Sequence, residues 1–324
     1  MSVNRRALVM LVLLAVPASL AIAVWNGSVD IPGPRLLAAL FGGGDAIDRE
    51  ILWGLRAPRA LSAFACGALL ALAGTLLQAL LRNPLADPFL LGISGGAAAG
   101  SLTGMLVGAA LALQHVFAFA GAAFAAASVF AFSLRPSGWN AYRVILAGVA
   151  LSAGFGAVVS LLLSLAPAAQ VHGMLFWLMG DLSGATNPLP AWIVLGITAV
   201  LAQFQAAPLD LLALGDDKAR SLGVAVLAAQ SITFGCASLA TMAAVLLAGS
   251  IGFVGLVTPH LLRLLGVHHH RLLLPLSAAT GGSMLTIADT LARSIQAPVG
   301  LPVGIVTALI GVPVLLVLLA RMRG

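Results

Sequence analysis

Residues 58–81 read PRALSAFACGALLALAGTLLQALL, a run broken by a single charge, Arg59. A helix of this length extends about 36 Å at 1.5 Å per residue, enough to cross the roughly 30 Å hydrocarbon layer of a bilayer. The run offers no polar face to water and is read as a membrane span.

Apolar stretches of the same kind recur at 7–25, 91–110, 114–134, 143–166, 190–206, 225–248, 252–265, 273–294 and 304–321, separated by Gly, Pro and charged residues. The expectation is an all-α integral membrane protein of about ten transmembrane helices, a single transmembrane domain over residues 1–324. Of all residues 61% are hydrophobic and 8% charged, with a mean hydropathy of +1.10. A soluble domain carries about 25% charged residues, so this chain has too few to coat a water-facing surface. The first run follows Arg5 and Arg6 and ends near Ala21-Ile22-Ala23, as a signal peptide would. Its length, close to the ~20 residues of a span, favours a retained first helix. Residues 171–179 are too few to cross and are expected as a re-entrant or surface helix. The eighth run is short and broken by Pro259, an interruption of a kind that can mark pathways in transporters.

Orientation follows from the cations. With the N-terminus inside, Arg5, Arg6, Arg82, Arg135, Arg143, Lys218, Arg220, Arg263, Arg271, Arg321 and Arg323 fall on the cytoplasmic side. Only Arg35, Arg49, Arg56, Arg59 and Arg293 fall outside. Eleven against five places both termini in the cytoplasm. The net charge of +6 is scattered singly between apolar runs, which fits topology and not a nucleic-acid surface.

Small residues recur every four positions at Gly92, Gly96, Gly100, Gly104 and Gly108, and again at Gly148, Ser152, Gly156, Ser160 and Ser164. Such ridges let helix backbones approach in lipid, where no hydrophobic force drives association. A smooth wall along a path for a bulky cargo is the sharper alternative.

Absences narrow the class. The one lysine, Lys218, follows Asp217, so no Gly-Lys-Ser/Thr phosphate loop exists and the chain has no nucleotide engine. Of ten acids, only Asp289 falls inside a predicted span, and a local i,i+4 pair with Arg293 is expected to neutralise it. That leaves little for ion-coupled transport. His115, His172 and His260 are isolated, and His268-His269-His270 reads as a polar cytoplasmic turn. Cys66 and Cys236 read as small buried hydrophobes. No nucleophile–base spacing argues for an enzyme, and no permanently bound cofactor is expected.

A permease without an engine must borrow one. Residues 209–223, LDLLALGDDKARSLG, are cytoplasmic by the orientation above. They read as two short helices around Gly215, with Asp216 and Asp217 starting the second. So many leucines in a loop suit docking to a soluble motor. Leu211, Leu214, Gly215, Asp216, Ala219, Leu222 and Gly223 are the candidate contacts.

Several blocks then carry a resemblance. They are Leu55-Arg56-Ala57-Pro58-Arg59, the stretch Arg82-Asn83-Pro84-Leu85-Ala86-Asp87-Pro88 running into Leu91-Gly92-Ile93-Ser94, and Leu146-Ala147-Gly148-Val149-Ala150-Leu151. Trp177-Leu178-Met179-Gly180, Gly252-Phe253-Val254-Gly255-Leu256-Val257-Thr258-Pro259-His260 and Thr307-Ala308-Leu309-Ile310-Gly311 complete them. From about residue 51 to 319 the chain resembles the FecCD-type permeases of ATP-binding-cassette importers for iron siderophores, haem and cobalamin. The resemblance implies the type II importer architecture in a bacterial inner membrane. It also implies a homodimer, two ATPase subunits that use the ATP, and a periplasmic or lipid-anchored substrate-binding protein.

By the same resemblance, 209–223 matches the coupling helices. Arg56, Arg59 and Arg293 match arginines that meet carboxylates of the binding protein. Trp139, Asn140, Ala141 and Tyr142 match the inner gate, and Val171, Met174 and Trp177 the short helix near the outer gate. Two departures stand out. Gly300-Leu301-Pro302-Val303-Gly304 lacks the acid of many relatives, and His269-His270-Arg271 replaces Asp-His-Arg. The expected cargo is an iron chelate, haem or a ferric siderophore, with cobalamin as the rival. An ion-coupled secondary transporter is the alternative from another class.

Overall fold

The computed structural model describes residues 5–27, 29–135, 138–295 and 300–321. Helix α1 (Arg5–Trp25) is followed by two short helices, α2 (Gly33–Leu40) and α3 (Ala46–Glu50). A π-helical turn, Ile51–Arg56, then leads into α4 (Ala57–Leu80). A 3-10 turn, Pro88–Leu91, precedes α5 (Ile93–Leu106), α6 (Leu111–Ser133), α7 (Ala141–Leu165) and α8 (Ala168–Met179). The chain continues through α9 (Leu189–Phe204), α10 (Ala206–Leu212), α11 (Asp216–Ser221) and α12 (Val226–Ala248). It closes with α13 (Val254–Leu264), α14 (His270–Ile295) and α15 (Val303–Arg321). Between α6 and α7, Leu134 pairs with Trp139 and Arg135 with Gly138 in a two-residue antiparallel ladder.

Each of the ten apolar runs forms a helix, so the all-α membrane architecture stands. Their lengths differ more than the hydropathy implied. Among the described residues, six helices are long and apolar enough to cross, and a seventh is added if α9 and α10, bent by 54° at their junction, are taken as one span. Helix α5 has 14 residues and α13 has 11, and the apolar part of α15 runs Val303–Val317. Local backbone sets these limits. Gly92 and Gly108 bound α5 in left-handed conformation, and α13 starts only after Phe253, itself left-handed at φ 70°. The segment expected at 171–179 is the twelve-residue α8.

Helix α4 is the axis of the molecule, almost wholly buried. It packs against α14, α12, α13, α9 and α1. Small residues allow this: a Cβ on Gly67 would run into the Gly281 carbonyl of α14, and one on Gly74 into the Gly255 carbonyl of α13. The π turn has a sequence cause. Pro58 has no N–H to donate, and the Ala57 N–H reaches back five residues to the Leu52 carbonyl.

The first small-residue ridge is a packing ridge, with Gly96, Gly100 and Gly104 closing on Gly121, Phe117 and Gln114 of α6. The second is a ridge at one end only. Gly148 meets the Leu90 carbonyl, whereas Gly156 has nothing within 4 Å. Val144 and Gly148 are the buried residues of α7, and Leu146, Val149, Leu161 and Leu165 stand exposed.

Candidate functional site

Two polar clusters lie at opposite ends of α4. At 24 residues this helix separates them by about 36 Å. At its N-terminal end a cavity of about 270 Å³ is lined by Arg56, Arg59 and Arg293, together with Phe176, Asp181, Thr186 and Leu301. The three arginines expected on the outer side thus share one site, but they are not three free cations. Arg56 is 4% exposed and donates to the carbonyls of Val24 (3.1 Å), Trp25 (2.9 Å) and Val29 (2.5 Å). Arg293 is 7% exposed and donates to the Ala23 carbonyl. To meet a partner's carboxylate, either would first have to give up buried hydrogen bonds. Arg59 keeps a fifth of its side chain exposed.

The expected i,i+4 pair of Asp289 and Arg293 is present, but it is the weaker of two. Asp289, 1% exposed, is held chiefly by Arg59, whose Nε and Nη2 lie 3.0 and 2.8 Å from its two oxygens. Arg293 Nε is farther, at 3.8 Å. The i,i+4 spacing brings the two side chains to the same face, but the planar fork of Arg59 from the neighbouring helix matches the carboxylate better. Helix α8 also ends here: its Met174 is fully buried, Val171 and Trp177 are half-buried, and Phe176 reaches the cavity.

At the C-terminal end of α4 lie α10 and α11, two short helices on either side of Gly215 (φ 109°). Leu214 and Leu222 are exposed, Leu211 is half-buried, and Ala219 is fully buried beneath α11. Gly223 (φ 88°) ends the segment. Asp216 starts α11 and takes hydrogen bonds from Arg82 and from Gln230 Nε2 (3.2 Å). Asp210 of α10 accepts from the His270 backbone N–H (3.0 Å) and lies 2.6 Å from His270 Nδ1, so it caps α14. The polar turn expected at His268–His270 is therefore corrected: His268 and His269 are exposed, but His270 is buried and opens α14.

Trp139 belongs to this end as well. Its indole packs against Phe130 and Phe234 with ring centroids 5.4 and 4.9 Å away, and its N–H points to Ser231 Oγ at 3.5 Å. Asn140 caps α7 by accepting from the Arg143 N–H, Ala141 is half-buried, and Tyr142 stands exposed. The residues expected at two gates thus divide between the two ends. Sequence reasoning missed Arg82, Gln230, Asp210 and Asp181. Two signals were available: Asp216 opens a short helix, and Arg82 sits in one of the blocks that carry the resemblance.

Residues 11–321 match the model of the FecCD transport family. The chain is 37% identical over 321 residues to the cobalamin import system permease protein BtuC of Halobacterium salinarum, covering 94% of this chain and 85% of that one. It is 37% identical over 277 residues to the vitamin B12 import system permease protein BtuC of Escherichia coli, covering 84% of each. Among solved structures, a metal-chelate type ABC transporter in an inward-facing conformation superposes with a TM-score of 0.87 at 29% identity. That match covers 98% of this chain and all of the other.

Proposed function

The chain belongs to the FecCD transport family, and from that premise we propose that it is the membrane permease of an ATP-driven importer for a bulky metal chelate. The observation that supports this reading is the pairing of two unlike ends on one buried axis. An arginine-lined cavity opens at one end of α4, and a segment presenting exposed Leu214 and Leu222 sits at the other. In the mechanism proposed, a binding protein delivers cargo at the arginine end, with Arg59 offering its exposed edge to a carboxylate while Arg56 and Arg293 shape the rim. Two ATPase subunits hydrolyse ATP and engage α10–α11. Their closure moves the Trp139–Tyr142 turn and α8 in alternation.

The exposed apolar length of α7 supports a homodimer with the pathway along its axis. The family and the distribution of cations support a bacterial inner membrane with both termini cytoplasmic. For the cargo, the two BtuC relatives favour cobalamin. The metal-chelate type neighbour keeps an iron chelate as the second reading. Uptake of radiolabelled cyanocobalamin and of a radioiron siderophore, by cells with and without the gene, separates them. Loss of one uptake, restored by the intact gene, identifies the cargo. Uptake that persists in membrane vesicles depleted of ATP would instead sink the ATP-driven reading.

A further inference from the structure

Helix α11 has six residues and lies between two glycines at positive φ, Gly215 and Gly223, each with open space where a Cβ would sit. Its one buried residue is Ala219. A helix so short and so hinged has no stiff covalent connection to the bundle, and a push on its outer face would be lost in the hinges. One side chain supplies a directed connection. Asp216 places one carboxylate oxygen against Arg82 and the other 3.2 Å from Gln230 Nε2.

Each partner leads somewhere specific. Arg82 follows the last turn of α4 and holds a left-handed backbone, φ 50°, that aims its side chain at α11. Gln230 is 4% exposed in the second turn of α12. The next residue, Ser231, meets the Trp139 indole, and Phe234 one turn on packs against its ring. Arg82, Asp216 and Gln230 share with Trp139, Ala141 and Val144 the lining of one small cavity of about 160 Å³.

We infer that Arg82, Asp216 and Gln230 form a positioning bracket that makes α11 and the Trp139 turn at the start of α7 move as one unit. The inference rests on the permease reading and adds to it the residues that carry motion from the motor-facing segment to the turn.

Two measurements on the intact chain test it. The first needs no partner: hydrogen exchange of the purified permease in nanodiscs. Asp216→Asn and Arg82→Asn each remove one charge, and Asn tolerates the left-handed backbone at 82. Either variant is expected to speed exchange about tenfold in 216–223 and in 139–144 together, leaving α14 unchanged. The exchanged pair Arg82→Asp with Asp216→Arg should restore protection. Loosening confined to 216–223 would reduce Asp216 to a local helix residue and overturn the bracket.

The second measurement uses the complex with its ATPase subunits, with Tyr142→Cys as an exposed reporter of the turn. Vanadate trapping should change the maleimide labelling rate in the parent and leave it unchanged in Arg82→Asn, while ATP hydrolysis continues. An equal response in both would overturn the inference. No response in the parent would count against the permease mechanism, and the exchange experiment would still decide the bracket.

Discussion

Asp289 shows how much a single buried carboxylate organises. Its oxygens accept from Arg59 on α4, and Arg293 stands one turn further along its own helix. Neutralising Asp289 leaves the Arg59 guanidinium enclosed without its counter-charge, which costs about 3 kcal/mol or more. Asp289→Asn should therefore lower the melting temperature of the detergent-solubilised protein by several degrees. Arg59→Lys should do so too, because a point charge does not replace the bidentate fork. An unchanged melting temperature in both would show the pair to be incidental.

Asp87 is the opposite case. It caps the Pro88–Leu91 turn through the Phe89 N–H (2.8 Å) at the mouth of a cavity lined by Phe89, Val149, Phe253 and Leu256. Burial pushes its carboxyl up to about 6, and the Phe89 N–H pulls weakly the other way. A carboxyl raised above its ordinary value favours folding while protonated. Stability is then lost as pH rises from about 4 to about 6 and stays low above that. Asp87→Asn keeps the cap and removes the charge, so it should melt higher than the parent at pH 7.5 and level with it at pH 4. The reverse order would contradict this account.

At the scale of elements, equal sequence spacing has unequal consequences. Gly100 lies against the Phe117 carbonyl of α6, where any side chain meets backbone that cannot yield. Gly156, on the equivalent four-residue ridge of α7, faces open space. Gly100→Val is expected to abolish a monodisperse chromatographic peak. Gly156→Val should leave the fold intact and weaken self-association, read as a shift toward the monomer in light scattering. Both ridges were legible in the sequence, because a four-residue repeat of small side chains is a local pattern. Which of them has a partner inside the protomer was not, since that depends on where α6 and the Pro88–Leu91 turn come to rest. The length of α5 escaped for a related reason: hydropathy runs on through Gly92 and Gly108, but a left-handed backbone at each ends the helix.

Over the whole molecule, α4 and α14 run in opposite directions and each connects the two ends. Arg59 and Asp289 fasten them at the arginine end, and at the other end α4 reaches α11 through Arg82 while α14 reaches α10 through Asp210. The α10–α11 segment is thus fixed to the two helices that run the length of the protein. Its exposed Leu214 is free to meet a partner. Leu214→Asp should preserve the melting temperature and abolish co-purification of the ATPase subunits. An intact complex would move the motor contact elsewhere.

By itself the sequence determined the membrane class, the ten helical segments, the missing nucleotide loop and the family. Each is written in composition or in patterns contained within about twenty residues. Only the tertiary structure decided that Arg59 and not Arg293 chiefly holds Asp289, across 230 positions of chain. It alone brought Asp216 to Arg82 across 134 positions, buried Arg56 and His270, and left one side of α7 bare. The physical reason is that a helix follows from its own residues. The partner of a charge follows from which helices pack side by side, and close packing of small residues settles that only once the chain has folded.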